Sequence, residues 1–213
     1  MDMLKCFFSN QYTGRADLFE GLSIWKEEKY RELQGQYPVI FVSFADVKER
    51  DYESAVRKIK HILVDLYLQY EFLKKNFSES EQMRYRQISY NMDNVAAQDA
   101  LKSLAALLSS YYGKKAIILL DEYDTPMQEA YIHGYWEEFT GFMRSMFNAT
   151  FKTNPYLERA VMTGITRVSK ESMFSDLNNL NVVTMTSKEY ATAFGFTGEE
   201  VFAAPVSYTH LRA

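Results

Sequence analysis

Cysteine is nearly absent from this sequence: of 213 residues only Cys6 carries a thiol. A lone cysteine excludes an intrachain disulfide and suits a reducing, cytoplasmic setting. Histidine occurs three times, at His61, His133 and His210. None has a Cys or His partner at ligand spacing, so no metal centre built on those residues is expected. The 24 Lys and Arg residues against 28 Asp and Glu leave a net charge of -4. No basic block stands out, and the electrostatic footprint of a nucleic-acid binder is missing. No apolar run approaches the ~20 residues that span a bilayer. The N-terminus also lacks the charged-then-apolar pattern of a signal peptide. Internal repeats and low-complexity linkers are absent too.

What the chain does contain is apolar periodicity. Hydrophobic residues make up 47% and charged residues 24%, ordinary values for one globular core or one core plus a fragment. Met3, Leu4, Phe7 and Phe8 form a helical stripe with no cap or strand before it, so the chain is expected to start inside a larger domain. Phe19, Leu22, Ile24 and Trp25 are expected to pack. Strands are expected at 39–44, 116–120, 159–163 and 181–185. Between them, Asp51 caps a helix reaching about Leu73, with Val56, Ile59, Leu63, Leu66, Tyr70 and Leu73 inward. A second helix runs from Asn94 to Tyr112 along Leu101, Leu104, Leu108 and Tyr111, ended by Gly113. A third covers 135–151 with Phe139, Phe142, Met143, Met146 and Phe147 inward. Ser78 with Glu81, and Thr197 with Glu200, read as capping boxes. The alternation argues for an α/β fold with a parallel, doubly wound sheet and helices on both faces.

The stretch from Ala116 to Asp124 organises the rest. Ile117 to Leu120 are uniformly apolar, as in a strand buried on both faces of a parallel sheet. The chain then turns acidic at Asp121, Glu122 and Asp124. Thr125 is expected to cap the next helix, with Pro126 at its first position and Gln128 closing a capping box. Two adjacent carboxylates therefore sit at the carboxyl end of a buried strand, where open α/β sheets bind ligands. Such a pair either holds Mg²⁺ and polarises an attacking water, or is a solvated turn.

In sequence, Ile118-Leu-Leu-Asp-Glu-Tyr-Asp-Thr-Pro-Met127 resembles the Walker B signature of the predicted AAA-ATPase-like proteins. Thr163-Gly-Ile-Thr-Arg-Val-Ser-Lys-Glu-Ser-Met-Phe-Ser175, Leu177-Asn-Asn-Leu180 and Phe194-Gly-Phe-Thr197 support the resemblance, as do Leu18 to Trp25 and Tyr37 to Phe44. It covers about residues 1–202 and implies a P-loop NTPase sheet of strand order 5-1-4-3-2, using ATP and Mg²⁺. It implies Asp121 as the Mg²⁺ ligand and Glu122 as the water-polarising base. Thr163 either senses the γ-phosphate or fills a strand, and Arg167 either reaches a phosphate, in its own or a neighbouring subunit, or makes a structural ion pair. Asp124 either supports the site from behind or complements the helix dipole. The expected partners are a nucleotide, a protein target the sequence does not name, and further copies of the chain; no membrane is among them.

The family's Gly-Lys-Ser/Thr phosphate loop, which precedes the helix matching Met1 to Phe8, has no counterpart here; no G-x-x-x-x-G-K-[ST] occurs. No nucleotide-binding residue is therefore assigned. The first, central strand is expected to be missing, and with it nucleotide affinity; a loosely folded or aggregation-prone chain is expected. Members often continue into a nuclease-like domain. Residues 205–213 resemble translated adapter sequence, and 203–213 are expected to be a non-native tail, the alternative being a native disordered one. The expected function is an inactive fragment of a Mg²⁺-dependent ATPase that couples hydrolysis to conformational change. The alternative is a non-catalytic interaction module or pseudogene product.

Overall fold

Ile117, Ile118, Leu119 and Leu120 lie in the middle of a three-stranded parallel sheet in the computed structural model, which describes residues 1–165, 180–184, 186–190 and 198–203. The chain forms two compact units, Met1–Asn178 and Asn179–Ala213. In the first, the strands are β1 (Val39–Ser43), β2 (Ala116–Asp121) and β3 (Leu157–Met162), in the order β1-β2-β3. That order matches the 2-3-4 run of the expected sheet. Register pairs Val39 with Ile117 and Ser43 with Asp121 on one side of β2. On its other side Ile117 pairs with Arg159 and Leu120 with Met162, after a bulge at Ala116/Ile117. Among the described residues no strand pairs with the outer edge of β3, and residues 158–161 are exposed.

Both faces of β1 and β2 are covered, which is why these strands read as continuous apolar runs. On one face Val39, Ile117 and Leu119 pack beneath Met1, Leu4 and Phe8 of the N-terminal segment, whose helix α1 spans Asp2–Phe8. The α1 end is tied to the start of β1: the Tyr37 N–H donates to the Phe8 carbonyl at 2.9 Å. Helix α1 therefore runs back along the sheet. On the other face Ile40, Val42, Ile118 and Leu120 are at most 2% exposed. After the short α2 (Glu28–Arg31) come α3 (Tyr52–Leu68), α4 (Glu79–Arg86) and α5 (Asn94–Tyr112). α6 (Thr125–His133) and α7 (Trp136–Phe147) follow β2, and α7 continues into a π-helical turn at Asn148–Lys152. α3, α5 and α7 pack on one another, and α5 contacts β2.

The helix signals act much as their chemistry requires. Asp51 and Asp93 accept N–H bonds from Ser54 at 2.8 Å and Ala96 at 2.7 Å, and Ser78–Glu81 forms the expected capping box. Gly113 ends α5 in the left-handed region at φ 66. Val56, Ile59, Leu63, Leu66, Tyr70, Leu73, Leu101, Leu104, Leu108, Phe139, Phe142, Met143, Met146 and Phe147 are all buried.

Several expectations need correction. Met3, Leu22, Ile24 and Tyr111 are exposed rather than packed, whereas Phe19 is buried against Phe7 and stacks with Trp25. The helix from Asp51 stops at Leu68, and a 3₁₀ segment, Glu71–Asn76, carries Leu73 into the core. The third strand starts and ends earlier than expected, which leaves Thr163 just beyond it. Residues 181–184 form no strand; Thr184 and Ser187 close a local turn through two 2.9 Å bonds, which take up backbone groups a sheet would use. Residue 185 lies outside the described residues, as do Ser169, Thr197 and the 204–213 stretch. The second unit also contains α8, Gly198–Ala203. No helix of the described residues is long and apolar enough to cross a membrane.

Candidate functional site

The acidic residues at the end of β2 are placed by the strand itself. Parallel pairing on both sides brings Asp121 level with Ser43 and carries the chain out at the carboxyl edge of the sheet. The turn after β3 closes onto the same point. The Thr163 N–H donates to the Leu120 carbonyl at 2.9 Å, and the Tyr123 N–H donates to the Thr163 carbonyl at 3.1 Å. These two bonds hold the Thr163 side chain beside Asp121, and its hydroxyl donates to Asp121 Oδ1 at 2.5 Å. A hydroxyl bond to a carboxylate at that distance is charge-assisted and short.

Glu122 follows in a conformation most residues avoid, with φ 50. Its side chain is half-buried, and its Oε2 accepts the Thr125 hydroxyl at 3.1 Å. The Thr125 N–H donates to the Glu122 carbonyl at 3.3 Å. The expected capping box therefore does not form. Asp124, not Thr125, is the cap residue of α6 and makes no side-chain cap bond, while Thr125 is helical and turns its hydroxyl back to Glu122. The Gln128 amide donates to Asp124 Oδ2 at 3.0 Å.

Asp124 is fully buried. Gly164 sits against it so closely that a Cβ there would lie 2.5 Å from Asp124 Oδ1 and 2.9 Å from a Tyr123 ring carbon. A buried carboxylate is thus wedged between the turn after β2 and the turn after β3. Asp124 stands at the start of α6, as its cap residue, and is buried beneath the turn after β3, so its place is compatible with both roles open from sequence, support from behind the site and a charge complementing the helix dipole. The sequence reading did not single out Gly164 for this contact, or Thr125 for its bond to Glu122. The signal was the position of Gly164 directly after Thr163, at the end of a strand. Arg167 lies outside the described residues.

Asp121, Glu122 and Thr163 are therefore brought together at one sheet edge. A family model described as predicted AAA-ATPase matches residues 1–174. This chain belongs to that AAA-ATPase-like family. A protein of Azotobacter chroococcum mcd 1, described as "Uncharacterized protein in vnfD 5'region", is 28% identical over 92 residues, 43% of this chain and 18% of that protein. The chain thus spans about a fifth of the length of this curated relative. No solved structure matches the chain.

For a member of this family the donor set bears on metal choice. Among the described residues no group of three His, Cys, Asp or Glu side chains could hold a metal ion. Mg²⁺ makes no such demand: it keeps several waters and takes one or two carboxylates together with phosphate oxygens. The half-buried Asp121 carboxylate beside a hydroxyl fits that use. A cavity of about 780 Å³ elsewhere, lined by Arg84, Asp99, Lys102, Ser103 and Tyr156, opens near the start of β3, at the end of the strand away from Thr163. Strand-end chemistry does not reach it.

Proposed function

We propose that these 213 residues are the Walker B portion of a Mg²⁺-dependent ATPase, and that the chain by itself turns over no ATP. The observation that carries this reading is the Thr163 hydroxyl on the Asp121 carboxylate, at the carboxyl ends of neighbouring parallel strands. In this reading Asp121 would hold Mg²⁺, Glu122 would take the proton of the attacking water, and Thr163 would orient that water or meet the γ-phosphate. Mg²⁺ would supply charge neutralisation on the phosphates. Arg167 is assigned to phosphate contact on the resemblance alone. Partners are a nucleotide, an unidentified protein target and further copies of the chain. A cytoplasmic setting rests on the single cysteine.

Among the described residues no strand pairs with the outer edge of β3, where the resemblance puts the strand that leads into the phosphate loop, and this supports the fragment reading. The lack of a G-x-x-x-x-G-K-[ST] sequence in these residues favours a second reading, a non-catalytic interaction module. The two are separated by phosphate release and binding of a fluorescent ATP analogue. Both are measured on the 213-residue chain and on the protein translated from the native locus with any upstream in-frame loop. Turnover by the longer protein, lost in Glu122→Gln with binding retained, supports the ATPase. Binding and turnover absent from both proteins supports the module, and undiminished turnover in Glu122→Gln rejects the role of Glu122.

A further inference from the structure

We infer that Thr125 is a positioning residue for Glu122, a role that rests on the ATPase reading of that carboxylate. A glutamate carries three side-chain torsions, and aiming its carboxylate costs rotamer freedom unless something holds it. Here two devices act together. The backbone of Glu122 stands at φ 50, a region that glycine enters readily and glutamate rarely does. Such an outlier persists only where its surroundings over-determine it. What over-determines it is Thr125, whose N–H meets the Glu122 carbonyl at 3.3 Å and whose hydroxyl meets Oε2 at 3.1 Å.

Thr125 is itself held still. It opens α6, directly before Pro126, whose ring fixes one backbone torsion, and Met127 and Ala130 are fully buried. Its β-branched side chain has few rotamers. A threonine at a helix start ordinarily turns its hydroxyl to the helix's own N–H groups; this one turns backward to the glutamate. The orientation of the carboxylate is therefore set by a buried helix start rather than by a free side chain.

Thr125→Val keeps the shape and removes the donor, and Thr125→Ser keeps the donor. In the longer ATPase, Thr125→Val is expected to lower kcat about tenfold or more while KM stays within twofold, because misaim of a reacting group costs rate and not binding. Thr125→Ser is expected to restore most of kcat. In parallel, urea unfolding of the 213-residue chain with Thr125→Val, Glu122→Ala and both together reads the contact without any turnover. Non-additive shifts in the urea midpoint are expected. Additive shifts overturn the proposal, and so does an unchanged kcat in Thr125→Val beside an inactive Glu122→Gln. If the unsubstituted longer protein turns over no ATP, the ATPase reading fails and the positioning role falls with it, whereas the coupling in urea still reports the contact.

Discussion

The Thr163 hydroxyl donates to the Asp121 carboxylate at 2.5 Å, across 42 positions of sequence. It links the ends of β2 and β3 at the point where the sheet opens to solvent. Thr163 is exposed, so the bond's net worth to folding is expected to be about 1 kcal/mol. Thr163→Val should lose that amount in urea unfolding and Thr163→Ser should keep most of it. A Val variant as stable as the parent would show that the two backbone bonds alone hold the turn.

Gly164→Ala tests the wedge behind that pair. A Cβ at 2.5 Å from Asp124 Oδ1 must displace a fully buried carboxylate. The expected loss is about 1–3 kcal/mol. Because the collision is with Asp124, the effects of Gly164→Ala and Asp124→Ala should be non-additive, the alanine at 124 making room for the one at 164. Strict additivity in the double variant would mean that the strain falls on the Tyr123 ring instead.

Glu122→Gly separates stability from chemistry. Glycine accepts φ 50 without a Cβ penalty of about 1 kcal/mol or more, though it gives up chain entropy in the unfolded state. Stability within about 0.5 kcal/mol of the parent, or above it, is expected by urea unfolding. A loss well beyond that would show that the Thr125 contact outweighs the backbone strain.

Two buried tyrosines predict the alkaline limb. The Tyr67 hydroxyl donates to the Ala100 carbonyl at 2.7 Å, and the Tyr70 hydroxyl to the Val39 carbonyl at 2.8 Å. Burial pushes Tyr70 up to about 12 from the ordinary 10.0, and raises Tyr67 further. The unfolded chain therefore releases these protons first as pH rises. Stability is level below about pH 9 and falls from pH 10 towards 12, by up to about 1.4 kcal/mol per pH unit for each tyrosine. Urea midpoints measured from pH 8 to 11.5 check this. Tyr70→Phe should start lower, having lost its bond to Val39, and fall less steeply; an equal slope would remove Tyr70 from the account.

Much of the architecture was legible because it is encoded locally. Asp51, Ser78 and Gly113 mark helix ends through bonds within four residues of themselves, and helices begin or end at these residues, whereas the far end of the Asp51 helix, at Leu68, falls short of its apolar stripe. Ile117 to Leu120 announced a strand covered on both faces, and both faces are covered. The boundaries that moved depend on partners distant in sequence. β3 starts at Leu157 because it pairs with β2 from Ala116 onward. Residues 181–184 have the composition of a strand but pair with none among the described residues, and there the competing bonds are local, between Thr184 and Ser187.

Sequence alone determined three of the four expected strands, most of the inward residues of the long helices and the place of Asp121 and Glu122 at a strand end, since each follows from spacing and cap chemistry along a short stretch. Tertiary structure decided what those carboxylates touch. It set Thr163 on Asp121, turned Thr125 from a helix cap towards Glu122, and buried Asp124 against Gly164. These contacts follow from parallel pairing of β2 with β3, which brings together turns about 40 residues apart. No periodicity within either segment encodes the meeting of the two.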